Sequence, residues 1–275
     1  MKTPNTKKND IFKNFANISE LNHYLTTNET TEVFKNNEKS QTGSSSWMGT
    51  ETYDAANDFL LYGCNELRAE VEDAGVKKIR TEIKKYMTRR TIYSSVVGAA
   101  PNVPAFISGA PNCMMMYRQT KIKQRVVNVA YNMAISGNEE QSKINDTAAK
   151  LIAALMIAEA KGVRVNLYMF VLATKSRNVL GCSLKIKSSG QKFDVLKMAY
   201  PLAHSSMLRR HFLRYVEVTE NVSPVFVNSY GTPDTDKTEN KKYLNEHGLK
   251  CDVVTNFYDL RYKSVDDIVK IIVGN

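Results

Sequence analysis

The chain has 275 residues, of which 43% are hydrophobic and 24% are charged. This balance is typical of globular proteins and excludes a fibrous or largely disordered chain, and the length allows a hydrophobic core that needs no disulfides. The net charge of +10 favours contact with polyanions or acidic surfaces, but charge alone does not distinguish nucleic acid from an acidic protein.

The cysteines and the N-terminal sequence bear on the cellular compartment. The four cysteines lie far apart, with no C-x-x-C pair and no cysteine–histidine spacing typical of zinc sites, so we expect reduced thiols. The N-terminal sequence MKTPNTKKNDIFKNF is charged where a signal peptide would be apolar, and no window approaches the roughly 20 apolar residues of a membrane span. We therefore expect a product of the cytosol with no membrane partner.

The first 46 residues have the composition of a linker. They are rich in Asn, Thr, Lys and Ser and end in the tract SQTGSSS. We predict a flexible N-terminal tail over residues 1–46. Within it, residues 18–25 can form one short helix started by Asn17 or Ser19, docked on the body of the protein or on a partner.

Residues 47–120 are predicted to form a helical region followed by a proline-rich stretch. In TETYDAANDFLLYG, Thr50 or Thr52 can cap a helix that Gly63 ends, and a second helical pattern covers residues 65–89. The next segment, VVGAAPNVPAFISGAPNCMMMY, contains three prolines, which exclude a regular helix and disfavour a central strand. Because the segment is also apolar, we expect an ordered irregular stretch that packs on the body.

From residue 121 onward, β-branched segments alternate with helical ones. Residues 125–132 (RVVNVAYN) and 163–173 (VRVNLYMFVLA) are predicted strands, and the largely apolar segment 142–161 between them is a predicted helix that ends at Gly162. A strand, helix and strand in this order form a βαβ unit with parallel strands. Residues 121–275 are therefore predicted to be a three-layer, Rossmann-like α/β domain with a mostly parallel sheet.

Shorter elements complete this domain. Residues 182–187 alternate polar and apolar side chains, which is typical of an edge strand. A helix interrupted at Pro201 follows, and residues 225–228 and 251–257 are predicted as short buried strands. Near the end, Ser264 is followed three residues later by an aspartate, which is the spacing of a capping box and predicts a final helix.

The loop after the first predicted strand of the domain, YNMAISGNEEQS, is a candidate ligand site. Open α/β sheets bind ligands at the carboxyl ends of their strands. Four residues of this loop have oxygen atoms that a hard divalent cation could use, namely Asn132, Ser136, Asn138 and Glu139. The glycine patterns of nucleotide-binding loops are absent. A polar loop that caps the next helix explains the same residues, so a divalent cation stays an open alternative and no cofactor is predicted.

The tract HSSMLRRHF, which begins at His204, is a second candidate. Its adjacent arginines, Arg209 and Arg210, suit a bidentate grip on a carboxylate or phosphate. The alternative is a solvated helix face with an ion pair to Glu217. A serine–histidine nucleophile pair is conceivable in this tract, but no acid that would orient it is identified.

A basic run is the third candidate, as a surface for an anion or a partner. It contains Lys84, Lys85, Arg89 and Arg90, and nearby tyrosines could add stacking to nucleic-acid bases. Glu82 interrupts the run, so a solvated amphipathic helix is the alternative.

Two resemblances add to these patterns. The YNMAIS loop, the long apolar helix and the GVRVNLYMF strand resemble the opening βαβ unit of a von Willebrand factor A-type domain, which implies a Rossmann-like sheet over residues 121–275. In that family a D-x-S-x-S motif at the strand end supplies metal ligands. Here Asn132 stands in place of the Asp, Ala134 in place of the first Ser, and Ser136 matches.

The second resemblance is to an uncharacterised family common in bacteriophage genomes. Its members combine W-x-G-T-x-x-Y, G-A-x-P-N-V-P-A and L-R-R-x-F segments, and this chain has WMGTETY from Trp47, GAAPNVPA from Gly98 and LRRHF from Leu208. The resemblance implies a phage or prophage source and carries no assigned activity.

We therefore expect a non-enzymatic phage protein that binds a phage or host protein and takes part in a virion or an intracellular complex of the host cytoplasm. A nucleic-acid-associated accessory protein of replication or packaging is the first alternative, because of the basic stretches. A hydrolase or nuclease with a degenerate site, at the loop after Asn132 or in the tract 204–211, is the second.

Overall fold

The computed structural model describes residues 9–73, 91–118, 125–227 and 229–274. The first range contains β1 (Asn9–Phe15), α1 (Ile18–Thr27), α2 (Lys39–Thr42), α3 (Ser45–Met48), α4 (Tyr53–Tyr62) and α5 (Asn65–Val71). The second contains β2 (Thr91–Ser95), β3 (Ala100–Pro101), α6 (Val103–Ile107) and β4 (Met114–Arg118). The third and fourth contain β5 (Val126–Asn132), α7 (Gln141–Ala160), β6 (Arg164–Lys175), β7 (Asn178–Lys187), α8 (Val195–Ala203), a π-helix (Met207–Phe212), α9 (Leu213–Val218), a 3-10 helix (Pro224–Phe226), β8 (Thr232–Pro233), α10 (Lys237–Glu246), β9 (Val253–Asn256), α11 (Phe257–Leu260) and α12 (Val265–Val273).

The main sheet has the strand order β1-β7-β6-β5-β9, and the short β8 pairs with β6. Strands β5, β6 and β9 run parallel, β7 returns antiparallel to β6, and β1 lies parallel to β7. The predicted βαβ unit is present as β5, α7 and β6. The prediction of an α/β fold with a mostly parallel sheet is confirmed.

Helices cover both faces of this sheet because the side chains of its strands alternate between the faces. Val127 and Val129 pack with α7, α8 and α12. Ala130 packs on the opposite side, with Leu244 of α10. At the end of the chain, α12 begins with the predicted capping box, in which Ser264 accepts a hydrogen bond from the backbone of Asp267. Among the helices of the described ranges, none is long and apolar enough to cross a membrane.

The predicted flexible tail is wrong for residues 9–46. Strand β1 pairs along its whole length with β7 and extends the main sheet. Phe15 and Phe34 are 2% and 0% exposed, and Leu21 and Leu25 of α1 are also buried. The composition of the segment is polar on average, but four of its large apolar side chains reach the core, and β7 supplies the hydrogen bonds that an isolated strand lacks.

Three local predictions also differ from the structure. Strand β7 is longer than predicted and lies inside the sheet, between β6 and β1, so residues 182–187 are not an edge strand. Residues 224–226 form a 3-10 helix where a strand over 225–228 was expected, since Pro224 cannot donate to a strand ladder but suits the first position of a helix. Helix α8 continues through Pro201 to Ala203 before it ends.

Residues 91–118, here called the arm, form a small antiparallel sheet in the order β2-β4-β3, with α6 between β3 and β4. The expectation of an irregular stretch packed on the body is therefore wrong. Pairing within the arm gives its strands backbone hydrogen-bond partners, and Pro101 lies on an edge strand, where its missing N–H is tolerated. Several large apolar side chains of the arm are more than half exposed: Val96, Val97, Val103, Phe106 and Ile107. The basic residues Lys84, Lys85, Arg89 and Arg90 lie outside the described residues.

Candidate functional site

The carboxyl ends of β5 and β9, here called the crest, each present an asparagine. Asn132 is 1% exposed; its Nδ2 donates to the Asp234 carbonyl at 2.7 Å, and its Oδ1 accepts from the Ala134 amide at 2.9 Å. Asn256 repeats this arrangement, with Nδ2 donating to the Thr235 carbonyl at 3.2 Å and Oδ1 accepting from the Asp259 amide at 2.8 Å. Together the two amides hold residues 234–235 across the strand ends.

This arrangement explains why an asparagine, and not an aspartate, occupies position 132. A carboxylate there could not donate to the Asp234 carbonyl, and it would place a negative charge against a carbonyl oxygen. Within the described ranges, no group of three or more His, Cys, Asp or Glu side chains is placed to hold a metal ion.

Two of the three other predicted cation ligands, Ser136 and Glu139, have side-chain partners of their own. The Ser136 amide donates to the Tyr258 hydroxyl at 2.9 Å, and the Ser136 Oγ lies 3.4 Å from the amide of Asn138, as in a polar turn. Glu139 forms an ion pair with Arg261 at 3.0 Å. These contacts favour the alternative of a polar loop over that of a cation site.

Arg210 is a structural residue, which corrects its prediction as an anion-binding side chain. It is 0% exposed, and all five of its N–H donors are used. Its acceptors lie in the segment 40–51: the carbonyls of Ser40 and Gln41 at 2.8 and 3.2 Å, the carbonyls of Thr50 and Glu51 at 2.7 and 3.0 Å, and the Thr50 hydroxyl at 3.1 Å.

The alternative for this tract, a solvated helix face paired with Glu217, is also wrong. Glu217 is 0% exposed and accepts hydrogen bonds from the Ser40 amide at 2.9 Å and from the Tyr230 hydroxyl at 2.6 Å. The hydroxyl of Ser40 is a third donor to this carboxylate. Burial raises the pKa of Glu217 above the usual glutamate value. Arg210 and Glu217 therefore both serve to fasten the N-terminal segment to the helices that follow α8.

Arg209, in contrast, faces a cleft. The π-helix, a rare form found frequently at functional sites, directs Arg210 into the interior and leaves Arg209 partly exposed. The Cζ atom of Arg209 lies 4.9 Å from the ring centroid of Trp47, and its Nη1 donates to the Trp47 carbonyl. Within the described part of the chain, Nε and Nη2 have no hydrogen-bond partner. They form the side-on fork that suits a carboxylate or phosphate.

Gly137 of the crest loop lies against the same pair of side chains. A methyl group at this position would come within 3.2 Å of Arg209 Nη2 and 3.7 Å of Trp47 Nε1. The glycine therefore brings the loop close to the guanidinium without covering the fork. Of the residues predicted from the crest loop, Ser136 and Glu139 also line the cleft.

The crest cleft consists of two lobes that meet at Arg209 and Gly137. The apolar lobe has a volume of about 410 Å³, and the polar lobe has a volume of about 390 Å³. Both volumes are in the range of ordinary ligand pockets. Apolar side chains dominate the first lobe, including Ile135, Leu208, Phe212, Leu213 and Pro233. Polar side chains dominate the second, including Glu70, Glu139, Gln141, Asn145 and His204.

The histidines of the tract 204–211 belong to a buried hydrogen-bonded chain. His204 Nδ1 lies 2.7 Å from Ser206 Oγ, which lies 2.8 Å from the Tyr200 hydroxyl, and that hydroxyl lies 3.0 Å from His211 Nε2. Burial lowers the pKa of both histidines to about 4, so both are neutral at pH 7. Ser206 is 0% exposed, so its hydroxyl is not accessible to a substrate. Within the described ranges, no carboxylate forms a hydrogen bond with any of these four side chains.

The cleft is built where two of the sequence motifs pack together. Trp47 of WMGTETY contacts Arg209 of LRRHF, Thr50 bonds to Arg210, and the Tyr53 ring lies 5.5 Å from that of His211. Gly49 adopts a left-handed conformation, with φ of 82°, and a Cβ there would be 2.1 Å from Ser205 Oγ. Sequence reasoning missed Trp47 and Glu70 as site residues; the only signal was that the two motifs occur together.

The family model described as a domain of unknown function, DUF7192, matches residues 2–270. No curated protein and no solved structure matches the chain. The chain belongs, over nearly its whole length, to this family of unknown function.

Proposed function

We propose that the chain is a non-enzymatic binding protein that captures an acidic segment of a protein partner in the crest cleft. Arg209 is the residue that binds the carboxylate. The observation that carries the proposal is the position of its guanidinium: Nη1 donates to the Trp47 carbonyl, Cζ lies over the indole at 4.9 Å from the ring centroid, and the Nε–Nη2 fork faces the cleft.

The fixed position of Arg209 supports binding because it reduces the entropy that a flexible side chain loses when it is ordered by a ligand. Burial lowers the pKa of Arg209, but an arginine remains charged at neutral pH. The Trp47 side chain is 46% exposed, so part of the indole is available to a ligand. Tryptophan and arginine are enriched among the residues that contribute most of the binding energy at protein interfaces.

The net charge of +10 supports an acidic partner, because opposite charge accelerates encounter and fixes orientation. The apolar lobe places an apolar surface next to Arg209. A peptide segment could contact this surface, whereas a single inorganic ion would not. Since the crest asparagines are engaged with backbone, the proposed ligand charge is held by a guanidinium and not by a metal ion.

The finer assignment of the fold, as von Willebrand A-like, is part of this proposal. Its support is the strand order β7-β6-β5-β9, with β7 antiparallel and a helix between β5 and β6, together with the sequence resemblance at Asn132 and Ser136. The proposed setting is a phage virion or an intracellular complex in the host cytoplasm. It rests on the motifs at Trp47, Gly98 and Leu208.

The experiment uses Trp47, the only tryptophan, as a fluorescent reporter in the cleft. Hexaglutamate is titrated into the protein at low salt, with hexaglutamine as the neutral control. We expect hexaglutamate alone to change the fluorescence. We expect Arg209→Gln to weaken its binding by about 10- to 100-fold, the usual worth of a charged hydrogen-bonded pair.

Lys192→Gln is the matched control variant. Lys192 is exposed and follows β7, whose last residues lie at the amino end of β6, away from the crest. Its substitution therefore removes the same charge without changing the cleft. If both substitutions weakened hexaglutamate binding equally, the effect would arise from the net charge of the protein alone, and this would contradict the proposal. Binding of a single-stranded oligonucleotide that depends on Arg209, without binding of hexaglutamate, would favour the nucleic-acid alternative instead.

A further inference from the structure

We infer, on the basis of the proposed function, that the crest cleft selects a short sequence pattern: an acidic residue with an apolar residue on one side and a basic residue on the other. The inference rests on the position of Arg209 between two lobes of opposite character.

The apolar lobe can take an apolar side chain next to the bound carboxylate. Ile135 and Leu208 are only partly buried, and the buried Phe212 lines the same lobe. A leucine-sized side chain that covers these residues would be removed from water together with the surface that it covers. Its burial contributes favourably in proportion to the apolar area involved.

The polar lobe carries a negative charge for which no basic partner is found among the described residues. Glu70 accepts a hydrogen bond from Asn145 Nδ2 and forms no ion pair there, whereas Glu139 in the same lobe is neutralised by Arg261. Asn145 Oδ1 in turn accepts from Gln141 Nε2 at 2.8 Å. The lobe therefore offers a carboxylate and further oxygen atoms to a lysine or arginine of the ligand.

The spacing of the pattern follows from the geometry of an extended chain. Side chains two positions apart point the same way and lie roughly 7 Å apart. With the acid at Arg209, the residues two positions before and two positions after it are the ones that enter the lobes. The expected patterns are apolar-x-acidic-x-basic and its reverse.

Peptides with blocked ends test the pattern through the fluorescence of Trp47 and, independently, by calorimetry. The sequences are LSESK and its reverse KSESL, compared with SSESS, LSESS and LSESE. We expect the better of the first two to bind at least about 10-fold more tightly than SSESS, as burial of one leucine alone can supply. We expect LSESE to bind more weakly than LSESS, because a second acid meets Glu70.

The variant Glu70→Gln keeps an acceptor for Asn145 and removes the charge. It should abolish the preference for LSESK over LSESS, measured as a ratio of affinities. Glu66→Gln, one turn earlier on the same helix α5 and outside the lining of the polar lobe, is the matched control and should keep the ratio.

The outcomes separate the two proposals. If SSESS binds through Arg209 and the five peptides have equal affinities, the pattern is wrong and the proposed function stands. If neither hexaglutamate nor any of the five peptides binds, both are wrong. A preference for LSESK that survives Glu70→Gln would overturn the role assigned to the polar lobe.

Discussion

The guanidinium of Arg209 lies over the indole of Trp47, with 4.9 Å between Cζ and the ring centroid, and bonds to the carbonyl of the same residue. These two side chains are 162 residues apart in the chain. The contact joins the N-terminal segment to the π-helix and also forms the floor of the proposed binding site. Because one contact serves both roles, substitutions of Arg209 measure how much it contributes to the free energy of unfolding and how much to ligand binding.

Arg209→Gln should have a small effect on stability. A partly exposed cation–π contact contributes about 0.5–1 kcal/mol, so we expect the free energy of unfolding to fall by about that amount. Urea denaturation followed by circular dichroism measures it, and the emission of Trp47 should change in the folded state. A loss above about 3 kcal/mol would mean that Arg209 is structural, like its neighbour.

Arg210→Lys should have a large effect. Lysine has three donors in place of five and cannot reach both pairs of carbonyls, so buried acceptors in the segment 40–51 lose their partners. We expect a destabilisation of about 3–5 kcal/mol in chemical denaturation. Arg209→Lys in the same assay is the matched comparison. Similar small losses for the two would show that the buried network is not what holds this segment.

Asn132→Asp tests the crest. Its new carboxylate would face the Asp234 carbonyl in place of an amide donor, so we expect a loss of about 1–3 kcal/mol that magnesium does not restore. Thermal unfolding with and without 5 to 10 equivalents of Mg²⁺, an order-of-magnitude excess, measures both effects. Stabilisation of the variant by Mg²⁺ would instead identify the crest as a cation site that lacks one acid.

Stability should fall in mild acid because of His204 and His211. Their folded-state pKa of about 4 lies below the ordinary value of 6.5, so the unfolded chain takes up protons first as the pH decreases. Their contribution is complete above pH 6.5 and is lost as the pH falls toward 4, at about 1.4 kcal/mol per pH unit for each group.

The control for this pH dependence is His211→Gln, which should reduce the slope by about half between pH 6 and pH 5, the share of one of the two histidines. The raised pKa of Glu217 acts in the opposite direction, but Glu217 is the same in both proteins. An unchanged slope in the variant would argue that His211 does not titrate on unfolding.

Phe34 and Phe106 provide a matched pair for the N-terminal segment and the arm. Phe34 is 0% exposed, and we expect Phe34→Ala to cost about 3–5 kcal/mol. Phe106 is 68% exposed, and we expect Phe106→Ala to change the free energy of unfolding by less than about 0.5 kcal/mol. Equilibrium denaturation of the two variants distinguishes a docked N-terminal segment, in which only Phe34→Ala is costly, from a free tail, in which neither is.

The sequence by itself determined the βαβ unit, the final capped helix and the position of the crest loop. Each of these depends on signals within a few residues: a β-branched run, an apolar helix closed by Gly162, and the pair Ser264 and Asp267. Residue spacing is sufficient for these elements because the hydrogen bonds and caps of a helix are local, and because a strand, helix and strand in succession bring the two strands together in one sheet.

Only the tertiary structure decided the position of β1 in the sheet and the different environments of the Arg209 and Arg210 side chains. Strand β1 is held by β7, more than 160 residues away in the chain, and no local pattern indicates that partner. The two arginines are adjacent and chemically identical, but neighbouring side chains on a helix point in different directions, so only one can face the interior. Arg210 faces it because the carbonyls of Ser40 and Thr50 lie there to accept its hydrogen bonds, and Arg209 is left at the cleft.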